Sequence, residues 1–568
     1  MYQKLPVGAD IFVNMREQDF YYIDKTNFIR DLLLNRGEVN LFTRPRRFGK
    51  TLNMTMLQAF FEIGVDRRDI FFGLDILKEQ ELCEQHMNRY PVIFLSLKSI
   101  EGKTFAEAMA KVGLLVADEC VRLSFLGQNQ RIDKDQRLLF KSLKARKADH
   151  AELGSAIKAL SRMLEAHYGQ KVVLLVDEYD VPLEKAFHNG YYDDMVSFMR
   201  QFLGDAFKTN TSLAFAVVTG CLRISNESIF TGLNNIKIDD ITSDRYDESF
   251  GFTDADVRKI LTDYNLTSAY EELRAWYDGY HFGDTDVYCP WDIINHVDRL
   301  LENPKAEPEA YWNNTSSNEI VKRFIDKAGA STRNEIERLI AGDFVEKPVR
   351  INLTYAELDE NIDNLWSVLF LTGYLTRQRT TDILPRGTMR LVIPNAEIKE
   401  IFVEKIQKWF AERVKSTDRS ELDALHNAFL VGNRETIETI LNAQLRATIS
   451  YYDANESFYH GFLAGLLKGC GSWGVGSNRE SGDGRSDILV IPEDYATGIV
   501  IEIKHARGLE DIPAMCEAAM RQIEEKNYQD GLLERGISSA RLYGVAFWKK
   551  NCGVITKSVQ LRKTIISI

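Results

Sequence analysis

Residues 39–52 read VNLFTRPRRFGKTL, and this stretch decides the fold of the N-terminal half. The apolar run Val39–Thr43 predicts a buried strand that leads through a loop into a helix. Such a loop can bind phosphate, because it supplies backbone N–H groups, a lysine for the β- and γ-phosphates and a hydroxyl for Mg²⁺. Gly49, Lys50 and Thr51 fill the last three positions of this pattern.

The loop departs from the usual pattern at its start. Arg44 stands where the first glycine is expected, and Pro45 removes one backbone N–H donor. The match is therefore degenerate, and its position between a strand and a helix is what supports it. We also assign Arg46 and Phe48, inside the loop, to cofactor binding.

A second motif supports the same site. The apolar run Val172–Val176 leads into Asp177, a carboxylate that can hold Mg²⁺ through water. Glu178 is placed to polarise the attacking water as a general base. Thr219 ends the next apolar run and is a candidate γ-phosphate sensor, and Arg223 is a candidate for stabilising transition-state charge. A solvated acidic turn, a strand-end hydroxyl and a surface arginine are the structural alternatives.

The order of patterns along the chain predicts an α/β multidomain protein. Through the first 220 residues, apolar runs alternate with amphipathic helical stretches, which indicates a parallel sheet with helices on both faces. The following segment is mostly helical, and the last 120 residues read α-β-β-β-α-β. We predict four parts: a P-loop domain at 1–245, a helical lid-like region at 246–345, a helical connecting region at 346–445 and a small α/β domain at 446–568.

The C-terminal part contains a second group of charged residues. Asp487 begins one predicted strand, and Glu502 and Lys504 lie two residues apart on the next, so these two face the same side. Two carboxylates form a hard oxygen site for Mg²⁺ or Mn²⁺, and the lysine can orient or activate water for attack on a phosphodiester. Glu456 and Gln522 lie on the flanking predicted helices as auxiliaries. A structural ion pair is the alternative.

Composition limits the class of protein. No apolar run reaches the roughly 20 residues of a membrane span, and the first residues lack a secretory signal. Seven cysteines without a CxxC pair argue against structural zinc and a disulfide framework. The net charge of −12 lies in the first 445 residues, since 15 basic residues match 15 acidic ones from Arg446 onward. We expect a cytoplasmic protein without a membrane partner.

Short segments along nearly the whole chain carry a family resemblance: Tyr22–Thr26, Thr43–Thr51, Val176–Asp180, Thr219–Gly220, Ile229–Phe230, Asn234–Asn235, Phe250–Thr253, Trp276–Tyr280, Phe458–Gly461, Ser477–Glu480, Gly484–Asp487 and Glu502–Lys504. On these segments the chain resembles the bacterial AAA-ATPase-like family that carries a C-terminal PD-(D/E)XK nuclease-superfamily domain. The resemblance implies an N-terminal P-loop NTPase and a C-terminal restriction-endonuclease-like domain. It also implies Asp487, Glu502 and Lys504 as the active core, assisted by Glu456 and Gln522.

These patterns together favour an enzyme with two sites. We expect ATP binding and hydrolysis at one site and Mg²⁺-dependent cleavage of nucleic acid at the other, with the nuclease controlled by nucleotide state. DNA is favoured over RNA as the partner, and oligomerisation is left open. Two alternatives remain: a nucleotide-switched binding protein with a catalytically silent nuclease-like domain, and a scaffold that uses the aromatic-rich middle region for protein contacts.

Overall fold

The computed structural model describes residues 2–223, 235–312, 319–353, 355, 357, 360–414, 419–448, 456–468, 473–481, 484–492, 497–533 and 535–561. Ile229, Phe230 and Asn234, named in the family resemblance, lie outside this part of the chain. The chain divides into two compact units, Met1–Ser316 with Glu346–Glu397 and Ser317–Val345 with Ile398–Ile568. The finer division into four parts stays a prediction. Among the described residues, no helix has the length and apolar character needed to cross a membrane.

The helices, in chain order, are α1 (Phe12–Glu17), α2 (Asn27–Asn35), α3 (Lys50–Phe61), α4 (Gln80–His86), α5 (Phe105–Arg122), α6 (Lys134–Lys144), α7 (His150–Gly154), α8 (Ala156–Tyr168), α9 (Val181–Asn189), α10 (Tyr192–Lys208), α11 (Asp254–Asp263), α12 (Tyr270–Tyr277), α13 (Pro290–Glu302), α14 (Glu319–Lys327), α15 (Ala330–Ile340), α16 (Ile362–Leu371), α17 (Ala396–Val414), α18 (Arg419–Val431), α19 (Arg434–Thr448), α20 (Glu456–Lys468), α21 (Ile512–Glu525) and α22 (Asp530–Leu533).

The strands are β1 (Val39–Thr43), β2 (Val92–Ser96), β3 (Val172–Asp177), β4 (Leu213–Gly220), β5 (Ile236–Asp239), β6 (Phe252–Thr253), β7 (Tyr280–Phe282), β8 (Thr285–Tyr288), β9 (Val345–Pro348), β10 (Thr376–Arg377), β11 (Thr388–Val392), β12 (Gly474–Ser481), β13 (Gly484–Ile491), β14 (Gly498–His505), β15 (Ser539–Trp548) and β16 (Asn551–Gln560).

A five-stranded parallel sheet forms the centre of the first unit. Its strand order is β2-β3-β4-β1-β5, and every neighbouring pair runs parallel. Strands β1 and β3 are buried along their whole length, and α3, α5, α8 and α10 pack against the sheet. Continuous apolar runs such as VVLLV are typical of strands covered on both faces, so the prediction of a covered parallel sheet is confirmed.

The strand order positions the predicted nucleotide residues. Strand β4 lies between β1 and β3, so their carboxyl ends meet at one edge of the sheet. The loop after β1, the Asp177 end of β3 and the Thr219 end of β4 are therefore neighbours. Residues that lie more than 120 positions apart in sequence are brought together by the pairing of parallel strands.

The middle of the chain contains small sheets as well as the predicted helices. Strands β6, β7 and β8 form one three-stranded sheet, and β9, β10 and β11 form another. The aromatic turn around Trp276–Tyr280 leads into the β7–β8 hairpin, and its Tyr277 and Tyr280 are buried. These aromatic side chains of the middle region thus belong to the core. Trp276 and Trp291 are partly buried and pack against the core cluster that contains Tyr277.

The second unit contains a five-stranded mixed sheet in the order β12-β13-β14-β15-β16. Only β14 and β15 pair in parallel, and α21 connects them. Strands β12 to β14 and α20 follow the predicted order, and β16 is an additional strand that pairs antiparallel with β15. The core residues of α21, such as Ile523, pack on β14 and β15 through alternating positions.

Two buried carboxyl groups in the first unit make its stability depend on pH. Asp292 and Glu397 are both fully buried, and Glu397 Oε1 accepts a hydrogen bond from the backbone N–H of Trp312 at 2.6 Å. Burial raises the pKa of both groups, and the neighbouring Asp292 raises the pKa of Glu397 further. Both effects favour the protonated form of Glu397 in the folded state.

We expect Glu397→Gln to stabilise the protein more at pH 8.5 than at pH 5.5. A group with a raised pKa stabilises the fold at low pH and loses that contribution as the pH rises, by up to about 1.4 kcal/mol per pH unit. Glutamine keeps the acceptor for Trp312 without a titrating proton. Thermal unfolding at both pH values measures the difference. Exposed Glu272→Gln is the control, and an equal shift at both pH values for Glu397→Gln would contradict the expectation.

Candidate functional sites

The loop after β1 folds back so that α3 begins at the edge of the sheet. Arg47 and Gly49 have positive φ angles of 71° and 81°, and Gly49 immediately precedes α3. The free N–H groups at the start of a helix and the positive end of its dipole favour bound phosphate. The 12-residue helix α3 therefore presents its amino end where the sequence predicted a phosphate.

Lys50 is buried and held by the loop itself. Its Nζ donates to the carbonyl oxygens of Arg44 and Pro45, both at 3.1 Å, and to the Cys221 sulfur at 3.4 Å. The carboxylate of Glu178 lies 3.4 Å away. Burial alone would lower the pKa of Lys50, but the nearby Cys221 and Glu178 more than offset this and raise it. The side chain is thus a fixed ammonium group.

The carboxylate of Asp177 joins the two predicted hydroxyl residues. Its Oδ2 accepts from Thr51 Oγ1 at 2.8 Å, and its Oδ1 accepts from Thr219 Oγ1 at 2.6 Å. Burial and the neighbouring Glu178 raise the pKa of Asp177. A hydroxyl and a carboxylate beside a helix amino end are ligands that suit Mg²⁺ with a bound nucleotide. The structure therefore brings Thr51, Asp177 and Thr219 together.

Asp180 has a role that the sequence did not indicate. It is fully buried, and its Oδ2 accepts from the backbone N–H groups of Cys221 and Leu222, both at 2.9 Å. Tyr179 donates from its hydroxyl to the Leu222 carbonyl at 2.7 Å. Burial and Glu178 raise the pKa of Asp180 to about 7. Hydrogen bonds thus connect the turn after β3 to the residues after β4. The only sign of this role in the sequence was a further acid close to Asp177.

Three predicted cofactor residues make contacts other than those around Asp177. Arg46 pairs with Glu184 at 2.6 Å. Phe48 is fully buried, with its ring centroid 5.0 Å from that of Tyr280 and 4.9 Å from that of Phe282. Arg223 forms an isolated parallel bridge with Asn352. The side chain of Phe48 therefore packs in the core. Any contact of this residue with a cofactor would come from its backbone.

The C-terminal site is built on adjacent strands. The register of β13 and β14 pairs Ile488 with Ile501, and its continuation places Asp487 opposite Glu502. Asp487 Oδ2 accepts from the Ile503 N–H at 2.7 Å. Lys504 Nζ donates to Glu502 Oε1 at 3.0 Å. The predicted sharing of one face by the glutamate and the lysine appears here as a direct contact.

Glu502 is the buried member of this site. It is 2% exposed, and its Oε2 is a buried oxygen that has no hydrogen-bond partner among the described residues. Burial and Asp487 raise the pKa of Glu502 to about 7, and Lys504 opposes the shift. Among the described residues, no three His, Cys, Asp or Glu side chains form a metal-binding group. A cation here would rest on two carboxylates, a set that fits Mg²⁺ completed by water or phosphate oxygens.

Helix α20 supports Asp487 through a residue to which the sequence assigned no role. His460 is buried, and its Nε2 donates to the Asp487 carbonyl oxygen at 2.7 Å. Tyr459 stacks on Phe547 with ring centroids 4.4 Å apart. Glu456 begins the same helix, and its side chain lies outside the described part. Gln522 Nε2 donates to the Tyr528 hydroxyl at 3.2 Å.

Gly220 allows the close packing of the nucleotide site, so we expect Gly220→Ala to destabilise the fold. An added Cβ would lie 2.6 Å from the Tyr179 ring and 2.7 Å from Asp180 Oδ1. Such overpacking costs about 1–3 kcal/mol. Denaturant unfolding measures the change. Gly204→Ala in α10, where a Cβ meets nothing within 4 Å, is the matched control and should be neutral or stabilising. Equal stability of the two variants would contradict this packing.

Comparisons with known proteins give matches to two parts of the chain. A family model described as a predicted AAA-ATPase matches residues 6–230, and one described as the PD-(D/E)XK nuclease superfamily matches residues 454–557. An uncharacterized protein in the vnfD 5′ region of Azotobacter chroococcum mcd 1 is 26% identical over 561 residues, which cover 97% of this chain and 98% of that protein. Residues 6–230 of the chain are thus similar to the predicted AAA-ATPase family, and residues 454–557 are similar to the PD-(D/E)XK nuclease superfamily.

Proposed function

We propose that the protein binds and hydrolyses ATP in its N-terminal unit and cleaves nucleic-acid phosphodiester bonds in its C-terminal domain. The contact between Lys504 and Glu502, on the strand beside Asp487, carries the nuclease part of the proposal. A buried acid with a raised pKa beside a lysine is costly in a fold unless it is used. This cost favours an active site over a catalytically silent domain.

At the ATP site the residues have separate tasks. Lys50, an ammonium group that the loop carbonyls hold in place, binds the β- and γ-phosphates. Thr51 and Asp177 would hold Mg²⁺, which neutralises phosphate charge when bound. Glu178 acts as the general base for the attacking water, and Thr219 senses the γ-phosphate through the Asp177 carboxylate.

At the nuclease site, Asp487 and Glu502 would hold Mg²⁺ or Mn²⁺. A cation bound there would supply Lewis-acid chemistry for attack of water on the phosphodiester. Lys504 orients that water or stabilises the charge that develops on the phosphate. Because burial and Asp487 raise the pKa of Glu502 to about 7, a cation beside it would favour the deprotonated carboxylate. Glu456 and Gln522 remain proposed auxiliaries.

We also propose a substrate for the nuclease site and a way in which this site is controlled. DNA is the preferred substrate, and the nucleotide state of the first unit controls access to the nuclease site. The support for control is that both sites belong to one chain. If purified protein binds nucleic acid without cutting it, the alternative of a nucleotide-switched binding protein replaces the nuclease.

We expect Lys50→Ala to weaken binding of Mg²⁺·ATP by about 100-fold or more, because the phosphates lose their only buried ammonium partner in the loop. Isothermal calorimetry measures the affinity. Lys171→Ala, at an exposed lysine before β3, should bind ATP like the wild type. Unchanged affinity in Lys50→Ala would remove this site from the proposal.

We expect Asp487→Ala and Lys504→Ala each to abolish strand cleavage that depends on Mg²⁺ or Mn²⁺. The first variant removes a metal ligand, and the second removes the charge beside Glu502. The assay compares linear, circular and single-stranded DNA and RNA, with and without ATP and with a chelator. Glu517→Ala, at an exposed position of α21, should cut normally.

Two outcomes of this assay would count against parts of the proposal. Equal cleavage by the wild type and both variants would show that the activity belongs to another centre. Identical rates with and without ATP would discard control by nucleotide state and leave the two sites unaffected.

A further inference from the structure

Arg44 is an unusual residue for the start of a phosphate-binding loop. It occupies the position where the pattern has a glycine, yet its long charged side chain is fully buried. A buried guanidinium is costly unless its N–H groups are bound. The contacts of this side chain therefore show what the arginine contributes.

The guanidinium of Arg44 binds backbone carbonyl oxygens from three places in the first unit. Nη1 donates to Thr43 O at 2.9 Å and to Asp239 O at 3.0 Å. Nη2 donates to Tyr246 O at 3.4 Å. The side chain thus joins the end of β1 to the end of β5 and the turn at Tyr246, which lie about 200 residues further along the chain.

Aromatic rings and distant acids complete this environment. The guanidinium carbon lies 5.1 Å from the centroid of the Phe250 ring and 5.4 Å from that of Phe282. In the described part of the chain, no carboxylate forms an ion pair with Arg44. Burial lowers the pKa of Arg44 to about 10, and Asp240 and Asp239 oppose that shift. The group remains charged at neutral pH and is held by carbonyl dipoles.

The backbone of Arg44 connects this anchor to the phosphate-binding lysine. Its N–H donates to Gly220 O at 3.1 Å, which extends the pairing of β1 with β4. Its carbonyl oxygen accepts from Lys50 Nζ at 3.1 Å. The same residue therefore ties β5, β1 and β4 together at their carboxyl ends and supplies an acceptor that orients Lys50.

We infer that Arg44 is a positioning residue of the nucleotide site, whose side chain fixes the loop carbonyl that orients Lys50 toward phosphate. A planar guanidinium binds several carbonyls in one plane, whereas a lysine ammonium concentrates its donors at one point. The inference rests on the proposed ATP binding and adds a residue that does not touch the nucleotide.

The test compares Arg44→Met and Arg44→Lys with the wild-type full chain. Calorimetry gives the affinity for Mg²⁺·ATP at a temperature well below the unfolding midpoint, and circular dichroism gives that midpoint. We expect Arg44→Met to bind ATP about tenfold more weakly or worse, and Arg44→Lys to lie between it and the wild type.

Arg122→Met is the matched control for general destabilisation. Arg122 lies in the same unit, where it pairs with Glu119 and Glu62 and donates to Val92 O. Its loss should lower the unfolding midpoint and leave ATP affinity as in the wild type. A merely structural role for Arg44 would give the same result as Arg122, with lower stability and unchanged affinity.

The outcomes separate this inference from the proposed function. Wild-type affinity in folded Arg44→Met overturns the inference and leaves the ATP site in place. If Arg44→Met does not fold, Arg44→Lys decides in the same way. A wild-type chain that binds no ATP overturns both.

Discussion

The carboxylate of Asp177, held by Thr51 on one oxygen and Thr219 on the other, is the interaction on which the N-terminal site depends. It exists because β4 lies between β1 and β3 in a parallel sheet, so three strand ends meet at one edge. The loop, the acidic turn and the end of β4 then share one small volume. Any change in strand order would separate the hydroxyls from the carboxylate, even with every residue of the motifs intact.

That small volume concentrates buried charge. Lys50, Asp177 and Asp180 are all buried, and Glu178 contributes to the pKa shift of each. Backbone groups hold much of this charge: loop carbonyls bind Lys50, and two N–H groups bind Asp180. The C-terminal site also contains buried charge, because Glu502 is buried beside Asp487 and Lys504. Desolvation raises the pKa of Asp177, Asp180 and Glu502, because a buried carboxylate is unfavourable unless a cation or a proton offsets its charge.

The side chains of Arg47 and Phe48, in the loop, pack into the middle segment of the first unit. Phe48 packs on Tyr280 and Phe282, and the Arg47 guanidinium lies 5.2 Å from the Trp291 ring centroid and donates to Tyr311 O at 3.2 Å. The aromatic side chains of this segment thus form a core against which the loop packs. A movement of the loop on nucleotide binding would act on this segment directly, because packed aromatic side chains transmit displacement.

The amino-acid sequence alone predicts the parallel sheet, the loop before α3, the acid at the end of β3 and the shared face of Glu502 and Lys504. Each of these follows from a local period or a short motif, which neighbouring residues specify. Only the tertiary structure decided the roles of Arg44, Asp180 and His460, because their partners are backbone groups of distant segments: Asp239 and Tyr246, Cys221 and Leu222, and Asp487. A backbone carbonyl or N–H is the same at every residue, so no residue type in the sequence marks it as a partner. The fold alone selects which of these groups lies within reach.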